Sequence, residues 1–199
     1  MLHLVLGGAR SGKSSFAERW LLQQAENTLS SPIYVATAEA LDDEMSERIL
    51  HHQQLRSEKP WQLLECPLLL SDLLADISGE KYVLIDCLTL WLTNQLMAVM
   101  AVEDNTNDIT KQLNERVEQL ISSLCQHPAT IVVVANEIGL GVVPLGKETR
   151  LFVDHAGWLN QKVAQLAEQV TLVTAGIPMT LKPNHEQHVS TREQGIDRG

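Results

Sequence analysis

The chain has 199 residues, 44% of them hydrophobic and 20% charged, a balance that suits one globular domain with a single substantial core. Its formal net charge of −10 argues against a general nucleic-acid binder, which carries a basic face. No apolar run approaches bilayer-spanning length, and Cys66, Cys87 and Cys125 are odd in number and lack any C-x-x-C pairing. They read as reduced thiols of a cytoplasmic protein rather than as a disulfide or zinc framework.

The first predicted element is an apolar strand, Leu2–Leu6, which begins so early that no room is left for a targeting peptide. It runs directly into Gly7-Gly8-Ala9-Arg10-Ser11-Gly12-Lys13-Ser14, a match to the phosphate-loop pattern G-x-x-x-x-G-K-[ST]. Glycines let successive backbone N–H groups curl toward an anionic phosphate, and the helix expected over Ser14–Gln24 presents the positive end of its dipole there. In such a loop Lys13 reaches the β- and γ-phosphates and the Ser14 hydroxyl ligates Mg²⁺.

Further β-type runs follow at Pro32–Ala38, Trp61–Cys66, Tyr82–Cys87, Thr130–Asn136 and Val170–Ala175, several apolar on consecutive residues, as in strands covered on both faces. Helical periodicity lies between them, over Asp42–Arg56, Asp108–His127 and Arg150–Gln169. In the second of these, Ile109, Leu113, Val117, Leu120, Ile121 and Leu124 share a stripe. Alternating strands and helices predict an α/β fold: a single P-loop NTPase-like domain over residues 1–182, its mostly parallel sheet flanked by helices. Residues 183–199, nearly devoid of large apolar side chains, read as a polar, flexible tail.

Three places after the phosphate loop offer chemistry. Mg²⁺ also needs a carboxylate at the end of a neighbouring buried strand, and Asp86 closes the run Tyr82-Val83-Leu84-Ile85; an acid that caps the following helix is the plainer alternative. Thr89, Thr93 and Asn94 follow and could line the same crevice. Asn136-Glu137-Ile138-Gly139-Leu140-Gly141-Val142-Val143-Pro144 leaves another apolar strand as a glycine-punctuated loop, where open α/β sheets build binding sites. The pair His51-His52 ends an acidic helix. Neighbouring helical residues diverge by about 100°, so the two do not share a metal. One of them could attack a phosphorus and carry the group as a phosphoramidate, or both could be ordinary exposed histidines. On these residues alone, a small-molecule kinase and a nucleotide-dependent switch both remain open.

Taken together, GGARSGKS, YVATAEALDDEMSERILHH, YVLIDCLTLWLTN and VANEIGLGVVP resemble the bifunctional adenosylcobinamide kinase / adenosylcobinamide-phosphate guanylyltransferase family, in the same order over roughly residues 1 to 182. The DDEM…RI-x-HH and NE-x-G-x-G-x-VP blocks are the specific part, since the phosphate loop is shared by many proteins. The resemblance implies phosphorylation of adenosylcobinamide by a nucleoside triphosphate, ATP or GTP. It then implies transfer of GMP from GTP to adenosylcobinamide phosphate through a guanylylated histidine, which falls on His51. It also implies triphosphate on Gly7 to Ser14 with catalysis by Lys13, Mg²⁺ near Ser14 and Asp86, and a nucleotide flanked by Ala36, Thr37, Ala38, His52, Gln53, Gln54 and Leu55. A homotrimer is implied as well. Guanine presents a donor pair that suits a carboxylate, and Glu65, closing Trp61-Gln62-Leu63-Leu64, is the candidate, with a surface strand-end glutamate as the alternative. Spacing between His52 and Trp61 departs slightly from the family pattern, and the tail lies beyond the resemblance.

Overall fold

The computed structural model describes residues 1–26, 31–39, 59–125 and 127–183. The expected helix Asp42–Arg56, with His51, His52, Gln53, Gln54 and Leu55, and the tail from residue 184 onward lie outside the described residues. The described elements are β1 (Leu2–Gly7), α1 (Lys13–Ala25), β2 (Ile33–Ala36), β3 (Gln62–Glu65), α2 (Leu70–Asp76), β4 (Tyr82–Asp86), α3 (Leu88–Met100), α4 (Thr106–Cys125), β5 (Thr130–Asn136), α5 (Lys147–Leu166), β6 (Gln169–Thr174) and β7 (Ile177–Lys182). They build a seven-stranded sheet in the order β3-β2-β4-β5-β1-β6-β7. All pairings are parallel except β6 with β7.

Alternation along the strands sorts side chains between two apolar layers. Leu2, Leu4 and Leu6 of β1 join the larger core with α2, α3, α4 and α5, whereas Val5 points to the opposite layer with Ala17 and Leu21 of α1. Both faces of the central strands are thus covered, so β1 is buried along its whole length, His3 included, and β5 is apolar on consecutive residues from Ile131 to Ala135. Helix α1 buries Ala17, Leu21 and Ala25 at four-residue spacing, and α4 buries the expected stripe of Ile109, Leu113, Val117, Leu120 and Leu124.

Three elements escape the sequence reading. Helix α3 (LTLWLTNQLMAVM) is apolar nearly all round, so it lacks the amphipathic signal. It is buried between the sheet and the helices α4 and α5. Helix α2 has only seven residues. Strand β7 is exposed along Ile177–Leu181 and has Pro178 near its start, features that hide a strand; its period-two order of Ile177, Met179 and Leu181 is the signal that could have found it. Its turn places Ala175 and Gly176 at φ of 52° and 79°, the left-handed conformation that tight hairpins require. Among the described residues no helix is long and apolar enough to cross a membrane.

Candidate active site at the carboxyl edge of the sheet

Strand β1 delivers its last residue, Gly7, opposite Asn136 of β5 and Val173 of β6. A Cβ at Gly7 would sit 2.4 Å from Ser11 Oγ and 2.6 Å from the Val173 carbonyl oxygen, so only glycine fits. From there the chain folds back on itself: the Ser11 N–H donates to the Gly8 carbonyl at 3.3 Å, and the Phe16 N–H donates to the Gly12 carbonyl at 3.0 Å to start α1. Gly12 turns the corner at φ 90°, and Arg10 occupies the same left-handed region at φ 55°. Helix α1 carries no acidic residue in its first turn and no side-chain cap, leaving its positive end uncompensated by the protein's own side chains. Gly8, Ala9 and Arg10 are exposed, Lys13 and Ser14 half-buried. The Lys13 ammonium donates to the Gly8 carbonyl at 3.2 Å and so lies back across the loop.

One brace of this loop is invisible in the motif. The Gly176 N–H, in the β6–β7 turn, donates to the Ser11 carbonyl at 2.8 Å. The Gly176 Cα would also lie 3.3 Å from a Cβ placed on Gly12. The hairpin overlooked in the sequence therefore backs the phosphate loop.

Asp86 ends β4 at the level of Ala36 on β2 and Val134 on β5, and Ala36 pairs in turn with Glu65 on β3. The four strands thus bring Glu65, Ala36 and Asp86 to one sheet edge with the phosphate loop. Strand β5 stands between β4 and β1, so Asp86 is not on the strand next to the loop, as the sequence reading has it, but one further out. The Tyr34 hydroxyl donates to its carboxylate; Tyr34 is completely buried and packs edge-on against Trp61. Cys87 follows Asp86 and is buried. Burial pushes its thiol up to about 11, the Asp86 charge adds to the rise, and Lys13 opposes it. Lys13 and Asp86 thus act on the same thiol with opposite sign. Glu65 is exposed at the end of the sheet's outermost strand.

Thr37 is completely buried. Its hydroxyl donates to the Cys87 carbonyl at 2.6 Å and accepts the Cys87 N–H at 2.7 Å. That commits the side chain to locking β2 onto the residue after Asp86 rather than to facing a ligand; Ala36 and Ala38 beside it are half-buried. The polar residues of α3 work the same way. Asn94 donates to the carbonyls of Thr37 and Pro67 at 2.9 and 3.1 Å, the Thr89 hydroxyl accepts the Asn136 N–H at 2.7 Å, and Thr93 bonds within its own helix. Asn94 and Thr89 thus tie the helix to the segments that leave the strand ends. Residues missed by the sequence reading, Tyr34 and Gly176 above all, sit in a buried strand and a short turn where residue type alone carries no chemical signal.

Oxygen donors from Ser14 and Asp86 suit a hard cation such as Mg²⁺, which keeps waters and phosphate oxygens and needs only one or two protein ligands. No cluster of three or more His, Cys, Asp or Glu able to cage a metal occurs among the described residues. The Ser14 and Asp86 oxygens suit a nucleotide-borne Mg²⁺.

The phosphate-loop pattern points to nucleotide chemistry, and the comparison with known proteins narrows it. A family model described as cobinamide kinase / cobinamide phosphate guanyltransferase matches residues 3–181. The chain belongs to this family. The bifunctional adenosylcobalamin biosynthesis protein CobP of Pseudomonas aeruginosa is 45% identical over 183 residues, 92% of this chain and 98% of that protein. The protein of the same description, CobU, from Escherichia coli is 38% identical over 187 residues, 92% of this chain and all of its own. Among solved structures, the flagellar accessory protein FlaH of Methanocaldococcus jannaschii covers 92% of this chain and 78% of its own at 14% identity and a TM-score of 0.45, too distant to bear on function.

Proposed function

We propose that this chain is a bifunctional enzyme whose one nucleotide site serves two successive reactions on a corrinoid. The observation that carries this reading is family membership across residues 3–181, joined to a phosphate loop in which Gly7 has no room for a Cβ and Gly12 turns at a φ of 90°. In the first reaction the aminopropanol hydroxyl of adenosylcobinamide attacks the γ-phosphorus of a nucleoside triphosphate, ATP or GTP. The P–O bond to the β-phosphate breaks and the nucleoside diphosphate leaves. Backbone N–H groups of Gly8 to Lys13 hold the phosphates, and the Lys13 ammonium offsets charge on the transferring group. Ser14 and Asp86 would hold Mg²⁺, which when bound neutralises phosphate charge and fixes the triphosphate's orientation.

In the second reaction the same cradle grips the β- and γ-phosphates of GTP as the leaving group. The His51 imidazole attacks the α-phosphorus in line, an N–P bond forms, and pyrophosphate departs. A phosphate oxygen of adenosylcobinamide phosphate then displaces the histidine, giving adenosylcobinamide-GDP. The reacting nitrogen must be unprotonated, because its lone pair forms the N–P bond. Glu65 is our candidate for the guanine edge, and Ala36, Ala38 and the segment His52 to Leu55 for the flanks of the nucleotide. A homotrimer is the proposed assembly.

The test is incubation with Mg²⁺ and GTP labelled at the α-phosphate, followed by denaturation. We expect an acid-labile, base-stable label that is absent from His51→Ala, while that variant keeps the kinase reaction. A folded, GTP-binding protein that takes no label would refute guanylyl transfer through histidine.

A further inference from the structure

The nucleotide site leaves one built feature of the carboxyl edge unused. The loop after β5 exposes Leu140, Val142, Val143 and Leu145 by 86, 96, 73 and 97%. Single exposed aliphatic residues are ordinary, but four within six positions are not. The loop is also held in this shape. At its start the Glu137 carboxylate accepts the Gly139 N–H at 2.8 Å, and at its end the Arg150 guanidinium donates to the carbonyls of Pro144 and Leu145. Its root is the phosphate loop itself: the Glu137 N–H donates to the Gly7 carbonyl at 3.2 Å.

Where the loop runs into α5, a cavity of about 540 Å³ opens between α3 and α5. Its walls mix the apolar Met97, Met100 and Phe152 with the polar Thr93, Glu148 and Thr149. A polyanionic nucleotide has no use for exposed aliphatic side chains or methionines. The second substrate of the proposed reaction does. A corrin macrocycle is a broad disc with a methyl-studded rim and amide arms, too large for a closed pocket. It suits an open apolar flap beside a groove that offers both adaptable methionines and hydrogen-bonding groups.

We infer that the Leu140–Leu145 loop, with the adjoining groove between α3 and α5, is the surface on which the corrin ring docks, so that its hydroxyl arm reaches across the phosphate loop. This rests on the reaction proposed above. The test uses the full chain with Leu140→Ser and Val142→Ser, singly and together. Both side chains are almost fully exposed, so neither change disturbs the core. Cobinamide binding is measured by equilibrium dialysis followed at the corrin absorbance, GTP labelling in parallel, and mass by sedimentation. The double variant should bind cobinamide roughly tenfold or more weakly with labelling and mass unchanged. Unchanged cobinamide affinity would overturn the assignment. A weakened affinity accompanied by a lower mass would overturn it too, assigning the loop to contact between copies of the chain. Failure of the unaltered protein to take the GTP label or bind cobinamide would remove the reaction, and this surface with it, a result distinct from either of those.

Discussion

The phosphate-loop corner and the loop after β5 lie on the same sheet edge and are built in opposite ways. In the first, main-chain groups and buried side chains are committed to fixed partners: Gly176 holds Ser11, Thr37 clasps Cys87, and Tyr34 bonds Asp86. In the second, hydrogen bonds at Glu137 and Arg150 hold the backbone while four aliphatic side chains stand in solvent. The contrast separates two recognition problems. Phosphate is small and charged, so it is met by donors fixed in place before it arrives. A broad apolar substrate is met by surface that costs nothing in the core when it is exposed or altered.

The largest effect that would sharpen this contrast is at Lys13. Lys13→Ala should slow both phosphoryl and guanylyl transfer, each by about 10²- to 10³-fold, measured as turnover of cobinamide and as rate of GTP labelling. Undiminished labelling would break the idea of one cradle for both steps. Next comes the clasp at Thr37. Thr37→Val leaves the buried Cys87 N–H without its acceptor and should cost about 1–3 kcal/mol of stability, read from urea midpoints. Thr37→Ser keeps both hydrogen bonds and should recover most of it. If valine and serine behave alike, the hydroxyl is not what joins β2 to β4.

The last effect concerns pH. His3, completely buried on β1 with its Nε2 2.9 Å from Thr171 Oγ1 and the rings of Phe16 and Trp20 beside it, has its pKa lowered by burial to about 4. A histidine with a depressed folded pKa favours unfolding as pH falls, because the unfolded chain takes up the proton first. Its penalty is absent above the ordinary value of about 6.5, grows as pH drops toward 4, and levels off below. His155, also lowered by burial, adds a penalty of the same sign. Urea midpoints should therefore fall between pH 7 and pH 4.5, and His3→Gln should flatten part of that slope. An unaltered slope would mean that His3 is not a source of the acid sensitivity.

Much of this protein was legible without coordinates. The phosphate loop is local chemistry: Gly7, Gly12, Lys13 and Ser14 lie within eight residues, and their backbone demands are written in residue type. The parallel sheet was legible too, because strands covered on both faces are apolar at nearly every position. Exposure of Ile177 to Leu181 and the uniform apolarity of α3 hid those two elements, since pattern reading depends on a difference between faces. What only the tertiary structure decided is how distant residues share one place. It inserted β5 between the phosphate loop's strand and that of Asp86, set the β6–β7 turn behind Ser11, and made the Thr37 hydroxyl a clasp on Cys87. Strand order and side-chain partnership arise from contacts across scores of residues, whereas a motif records only its immediate neighbours along the chain.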